Sequence, residues 1–131
     1  MLLGFFYIYR YIKNMDAKNT SEITWNEFEK VAMHVGTILE VNDFPDAKKP
    51  AYQLTIDFGD IIGIKKTSAQ ITKQYEKATL INRQIVAVVN FPKKQIGKFM
   101  SECLVLGAVG LEGDVILLAP ETKVENGLRI S

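Results

Sequence analysis

Tyr52-Gln53-Leu54-Thr55-Ile56-Asp57-Phe58 alternates apolar and polar side chains at every step. Successive side chains on a strand point to opposite faces, so this run predicts a strand with one face in a core and one in water. Gly59-Asp60 turns it, and Ile61 to Thr67 predicts the next strand. Upstream, Val31, Met33, Val35, Leu39 and Val41 share one face of an earlier strand, with His34, Gly36 and Glu40 on the other. Between the two lies Asn42 to Pro50, dense in turn formers and read as an exposed loop. Before the first strand, Thr24 and Glu27 have the spacing of a capping box, which predicts a short helix over Trp25 to Lys30.

Downstream, Ser68 to Glu76 reads as a short helix. Ile85 to Val89 is an unbroken apolar run suited to a strand covered on both faces. Cys103 to Ala108 and Val115 to Ala119 supply the last long strands, and Asn126-Gly127 signals a small terminal hairpin. Five or more strands with a helix between the third and fourth is the order of the OB-fold, a partly open barrel. The expectation is an all-β, five-stranded OB-fold barrel with short helices and N- and C-terminal extensions.

A chain of 131 residues that is 47% hydrophobic fits one core. Its first fourteen residues are crowded with Leu2, Leu3, Phe5, Phe6, Tyr7, Ile8, Tyr9, Tyr11 and Ile12. Arg10 and Lys13 break this run, which is shorter than the roughly 20 residues a spanning helix needs. It also lacks the order of a signal peptide. Residues 1–22 are therefore expected to be a dispensable extension without stable membrane insertion, and residues 23–131 the domain.

Charge is divided unevenly. Residues 1–60 carry 6 basic and 9 acidic side chains, 61–101 carry 8 and 1, and 102–131 carry 2 and 5. A basic middle between acidic ends is the asymmetry of a protein with a focused anionic partner, nucleic acid being the commonest, although a solvated lysine surface has the same composition. Cys103 is the only cysteine and sits in a strand pattern, so no internal disulfide forms and a reducing, cytoplasmic setting is expected. His34 is the only histidine. Without a second histidine or thiol no metal site is expected. Without a phosphate loop, a dinucleotide fingerprint or a base near Ser68 or Ser101, neither cofactor nor enzymatic activity is expected.

Two segments carry the positive signal: Ile64 to Tyr75, with Lys65, Lys66, Ser68, Gln70 and Lys73, and Asn90 to Glu102, with Asn90, Pro92, Lys93, Lys94, Ile96, Lys98 and Ser101. Lysines neutralise phosphates, hydroxyls and amides bond to sugar or base edges, and a ring such as Phe91 stacks on bases. Phe91, Phe99 and Met100 serve equally well as core or as an apolar groove for extended polypeptide.

Asp57-Phe58-Gly59, Ile62-Gly63-Ile64-Lys65, Ser68-Ala69-Gln70-Ile71-Thr72-Lys73, Val88-Val89-Asn90-Phe91-Pro92, Ser101-Glu102 and Leu104-Val105-Leu106-Gly107 together resemble the CsaA family, from about Phe28 to the C-terminus. The resemblance implies an OB-fold tRNA-binding domain acting as a stand-alone homodimer, with tRNA and unfolded polypeptide as partners. It also implies an RNA-contacting set at Asn90, Pro92, Lys94, Ile96, Ser101 and Leu104. Met100 stands where the family carries a basic residue. The alternative it leaves open is a purely peptide-binding secretion chaperone without physiological RNA binding.

Overall fold

A computed structural model describes residues 21–131. The expected extension at residues 1–22 lies almost wholly outside them. Helix α1 (Trp25–Glu29) leads into β1 (Met33–Asp43), β2 (Tyr52–Asp57), the single turn α2 (Gly59–Ile62), β3 (Ile64–Ala69), α3 (Lys77–Leu80) and β4 (Gln84–Val88). The chain ends with β5 (Lys94–Ile96), β6 (Phe99–Ser101), β7 (Leu104–Val105), β8 (Gly107–Val109) and β9 (Val115–Leu117). The main sheet runs β3-β2-β1-β4-β7, antiparallel throughout, and curls into a nearly closed five-stranded OB-fold barrel. Strands β5 and β6, and β8 and β9, form separate hairpins.

The alternation in β2 does what it predicts. Tyr52, Leu54 and Ile56 are buried and continue inward into Phe58. They meet Ile38, Val41, Leu80, Ile85 and Ala87 in one core. A side chain the size of Leu or Ile contributes roughly 1.5–3 kcal/mol on burial, so this cluster supplies the main driving force of the fold.

Strand β1 departs from simple alternation. Its register against β2 shifts between Ile38 and Glu40, a bulge at Leu39. Before the shift Gly36 and Ile38 face the core, a Cβ at Gly36 lying 2.7 Å from Ile56 and Phe58, and the extra residue brings Val41 rather than Glu40 inward. The face predicted for Val31, Met33, Val35, Leu39 and Val41 is therefore not one inner face: Gly36 and Ile38 take that role, Val35 is buried outside the core cluster, and Val31 and Leu39 are exposed.

Ser68 to Glu76 is not a helix. Ser68 and Ala69 continue the β3 ladder opposite Gln53 and Tyr52, and helix forms later, at α3, where Leu80 is fully buried. The backbone pairing available in the sheet outweighs a weak local helical preference. The tail is not a hairpin on itself either. It lies along the first residues of β1, on the side where pairing with β2 begins only at Thr37: Val35 N–H donates to Leu128 O (3.0 Å), Gly127 N–H to Val35 O (2.7 Å) and Ile130 N–H to Met33 O (2.8 Å). Gly127 is required at this strap, because its φ is 93° and a Cβ would lie 2.6 Å from Phe58 O.

The barrel closes where β3 meets the segment linking β6 to β7. Glu102 N–H donates to Lys66 O (2.7 Å) and Lys66 N–H donates to Glu102 Oε1 (2.9 Å). Beneath them the buried Thr67 Oγ1 donates to Cys103 O (2.7 Å) and lies 3.0 Å from Ser101 Oγ. Thr67→Val keeps the shape but strands the Cys103 carbonyl, so it is expected to lower the unfolding free energy by ~1–3 kcal/mol in a urea titration. A loss below about 0.5 kcal/mol, within the ordinary range of surface substitutions, would mean that the seam does not depend on this hydroxyl.

Candidate nucleic-acid interface

The basic segment at 93–98 is more ordered than a loop. Lys94 pairs with Ser101, Gln95 with Met100 and Ile96 with Phe99, around a two-residue turn at Gly97 and Lys98. Gly97 has φ 60°, the left-handed position that a primed hairpin turn assigns to glycine. Cross-strand pairing puts Lys94, Ile96, Phe99 and Ser101 on one face and Gln95 and Met100 on the other. Phe99 packs against the buried Phe44 of the β1–β2 loop, ring centroids 5.3 Å apart, which pins the hairpin to the barrel. Phe99 is thus an anchor, and Phe91, Phe99 and Met100 do not share one face. Phe91 (55% exposed), Met100 and Leu104 remain open to solvent.

The seam draws two distant basic segments together. Around Glu102 stand Lys66, bonded through its backbone, and Lys93, whose Nζ lies 3.3 Å from Oε2; Lys65 acts on the same carboxylate through its charge. Lys94 sits opposite Ser101 at the neck of the hairpin, and Lys98 at its tip. Among the described residues neither Lys94 nor Lys98 has an ion pair. Ser68 lies in β3 opposite Gln53. Gln70 and Lys73 line a different cleft of about 350 Å³, with Glu112 and Asp114 across it, and so stand apart from the seam.

Asn90 has a job within the fold. Its Oδ1 accepts from Ala32 N–H (3.1 Å) and its Nδ2 donates to Lys30 O (2.6 Å), tying the exit of α1 to the start of the Phe91-Pro92-Lys93 loop. Both ends of its carboxamide are engaged, and the residue sets where that loop begins. Ile96 is half-buried on the inward face of the hairpin.

Glu102 and Thr67 were not singled out by sequence reasoning. The signal for Glu102 was present, as the acid that follows directly on a 41-residue stretch, 61–101, holding only one acid, Glu76. The Glu102 carboxyl is held below its ordinary value first by the Lys66 N–H bond and then by Lys93, with partial burial opposing. Burial pushes the Cys103 thiol up to about 12, with Lys65 opposing, so the group stays protonated and inert. The His34 ring is tied through Nδ1 to Gly127 O (2.8 Å) in the strap. Among the described residues no cluster of three or more metal-binding side chains occurs, and no helix is long and apolar enough to cross a membrane.

Barrel, hairpin and cation cluster together define a tRNA-binding domain of OB-fold type. Residues 33–129 match the family described as "Putative tRNA binding domain". The chain belongs to this family and, within it, to the CsaA proteins. It is 56% identical to the CsaA chaperone protein of Picrophilus torridus (TM-score 0.78, covering 84% of this chain and all of that one). It is 46% identical to chaperone CsaA of Bacillus anthracis (TM-score 0.80, covering 85% and 100%). It is also 32% identical over 125 residues to methionine–tRNA ligase of Pyrococcus abyssi, matching 94% of this chain but spanning only 17% of that enzyme.

A depressed folded-state pKa means that Glu102 stabilises fully above its ordinary value of 4.5 and loses that contribution as pH falls through the lowered folded value. The difference in unfolding free energy between wild type and Glu102→Gln is therefore expected to be constant from about pH 7 to about pH 5 and to shrink below that. A difference that grows on acidification would reverse the assignment.

Proposed function

We propose that this protein is a non-enzymatic RNA-binding protein that recognises tRNA by shape, on the seam between β3 and the β5–β6 hairpin. The observation that carries the reading is that two segments about thirty positions apart in sequence, β3 with Lys65 and Lys66 and the hairpin with Lys93 and Lys94, meet at Glu102, on whose carboxylate Lys93 and Lys65 act. Cations fixed on a rigid sheet and hairpin suit a folded polyanion, whose phosphates are themselves fixed; on a floppy loop they would suit any polyanion. Folded RNA presents such a surface, and the matched family and relatives are named for tRNA binding, tRNA charging and chaperone activity.

Polypeptide binding is the companion role. It is supported by the exposed Phe91, Met100 and Leu104 beside the cations and by the relatives named chaperones. Homodimerisation is supported by the exposed apolar side chains of Ile23, Trp25 and Val31 around α1 and of Leu128 in the tail. Arg129 Nη2 donates to Glu29 O (2.6 Å) and ties this part of the tail to α1. The tied histidine and the inert thiol support a protein without catalysis, and the cytoplasm, where tRNA is found, is its proposed location.

The test is tRNA binding measured at about 50 and about 200 mM salt, with sedimentation of the same samples. Engaging about four phosphates makes affinity fall about a hundredfold over that interval. Lys94→Glu/Lys98→Glu, which leaves the Glu102 pair intact, is expected to abolish most of the binding and flatten the slope. The free protein should sediment as two chains. Binding unaffected by salt and by both substitutions would remove the seam from consideration.

A further inference from the structure

Glu102 carries the wrong sign for a site that binds phosphate, yet it stands at the centre of the cations. Its backbone N–H and its Oε1 are both spent on Lys66, at 2.7 and 2.9 Å, and Oε2 is left facing Lys93 Nζ at 3.3 Å. The glutamate side chain is 22% exposed and the lysine 63%, so solvent reaches both, the ammonium more freely than the carboxylate. A surface lysine is ordinarily a flexible point charge that meets a phosphate from any direction. Here one direction is occupied by a partner that the sheet itself holds rigid, and the residue after Glu102 is buried under the same seam.

We propose, building on the RNA reading above, that Glu102 is a specificity-determining positioning residue: it tethers Lys93 so that the ammonium serves phosphates arriving in the arrangement a folded RNA presents, and repels polyanions that approach otherwise. Two physical effects combine. Tethering removes in advance the rotamer freedom that Lys93 would lose on binding, which favours a ligand matching the preset position. The negative charge lowers the attraction of the face for every polyanion, a loss that only the matched ligand recovers. Only the tether acts through Lys93, and only the tether changes the preference between polyanions, which makes the proposal separable from the general charge effect.

Glu102→Gln keeps an oxygen for the Lys66 N–H and nearly the same volume while removing the charge and the tether. Affinities for folded tRNA and for unstructured poly(U) are measured side by side for wild type, Glu102→Gln, Lys93→Gln and the double variant. Expected for Glu102→Gln is tighter poly(U) binding and weaker tRNA binding, so that the preference for tRNA falls about tenfold, with the poly(U) salt slope steeper by about 0.7, one phosphate. In the Lys93→Gln background the same change should leave the preference as it was. Protection of the Lys66 amide against hydrogen exchange shows that the seam is closed in each variant. Equal gains for both RNAs, no change in preference, or a shift that persists without Lys93 would each overturn the inference while leaving the RNA reading intact. Wild type that binds neither RNA would overturn both.

Discussion

The structure depends on one seam. An OB-type sheet has two edges, here β3 and β7, and the barrel exists because they are brought together. The pairing is too short to be a ladder: one backbone bond runs from Glu102 N–H to Lys66 O, and a glutamate carboxylate takes the place of the reciprocal carbonyl. Thr67 completes it from beneath by satisfying the Cys103 carbonyl. Unpaired backbone groups at a buried sheet edge are costly, so these few bonds decide whether the core stays covered.

Everything the proposed function uses hangs from that seam. Hairpin β5–β6 leads directly into it through Ser101 and Glu102 and is pinned at its other side by Phe99 on Phe44. The cations of β3 and those of the hairpin are therefore held in fixed relation by the contacts that close the barrel. On the opposite flank, Asn90 joins the same loop to α1. Gln84 ties the C-terminal strap by donating to Val124 O (2.7 Å) and accepting from Val124 N–H (3.0 Å). The proposed RNA face and the proposed subunit contact thus share a scaffold whose links are single side chains.

Much of the barrel was legible because its strands are half-buried. The alternation at 52–58 and the apolar run at 85–89 report burial directly, and the fold class followed from the number of such strands and a helix between the third and fourth. What was not legible depends on partners far away in sequence. The bulge at Leu39 appears only when β1 must pair with β2 on one side and β4 on the other. The helical reading of 68–76 failed because Ser68 and Ala69 have strand partners that no local pattern reveals. The tail found β1 instead of itself for the same reason. At the site, the lysines were evident from composition, whereas the inward turn of Phe99, the backbone ties of Asn90 and the central place of Glu102 all rest on contacts between distant segments.

The central claim, that RNA is read on the β3 and hairpin face, is tested most directly by titrating isotope-labelled protein with tRNA and following each backbone amide by NMR. The account predicts that the largest changes fall on Lys65, Lys66 and the amides from Lys93 to Ser101, with the strap from Val124 to Ile130 little affected. Changes centred on the cleft lined by Gln70, Lys73, Glu112 and Asp114, with the hairpin silent, would contradict it.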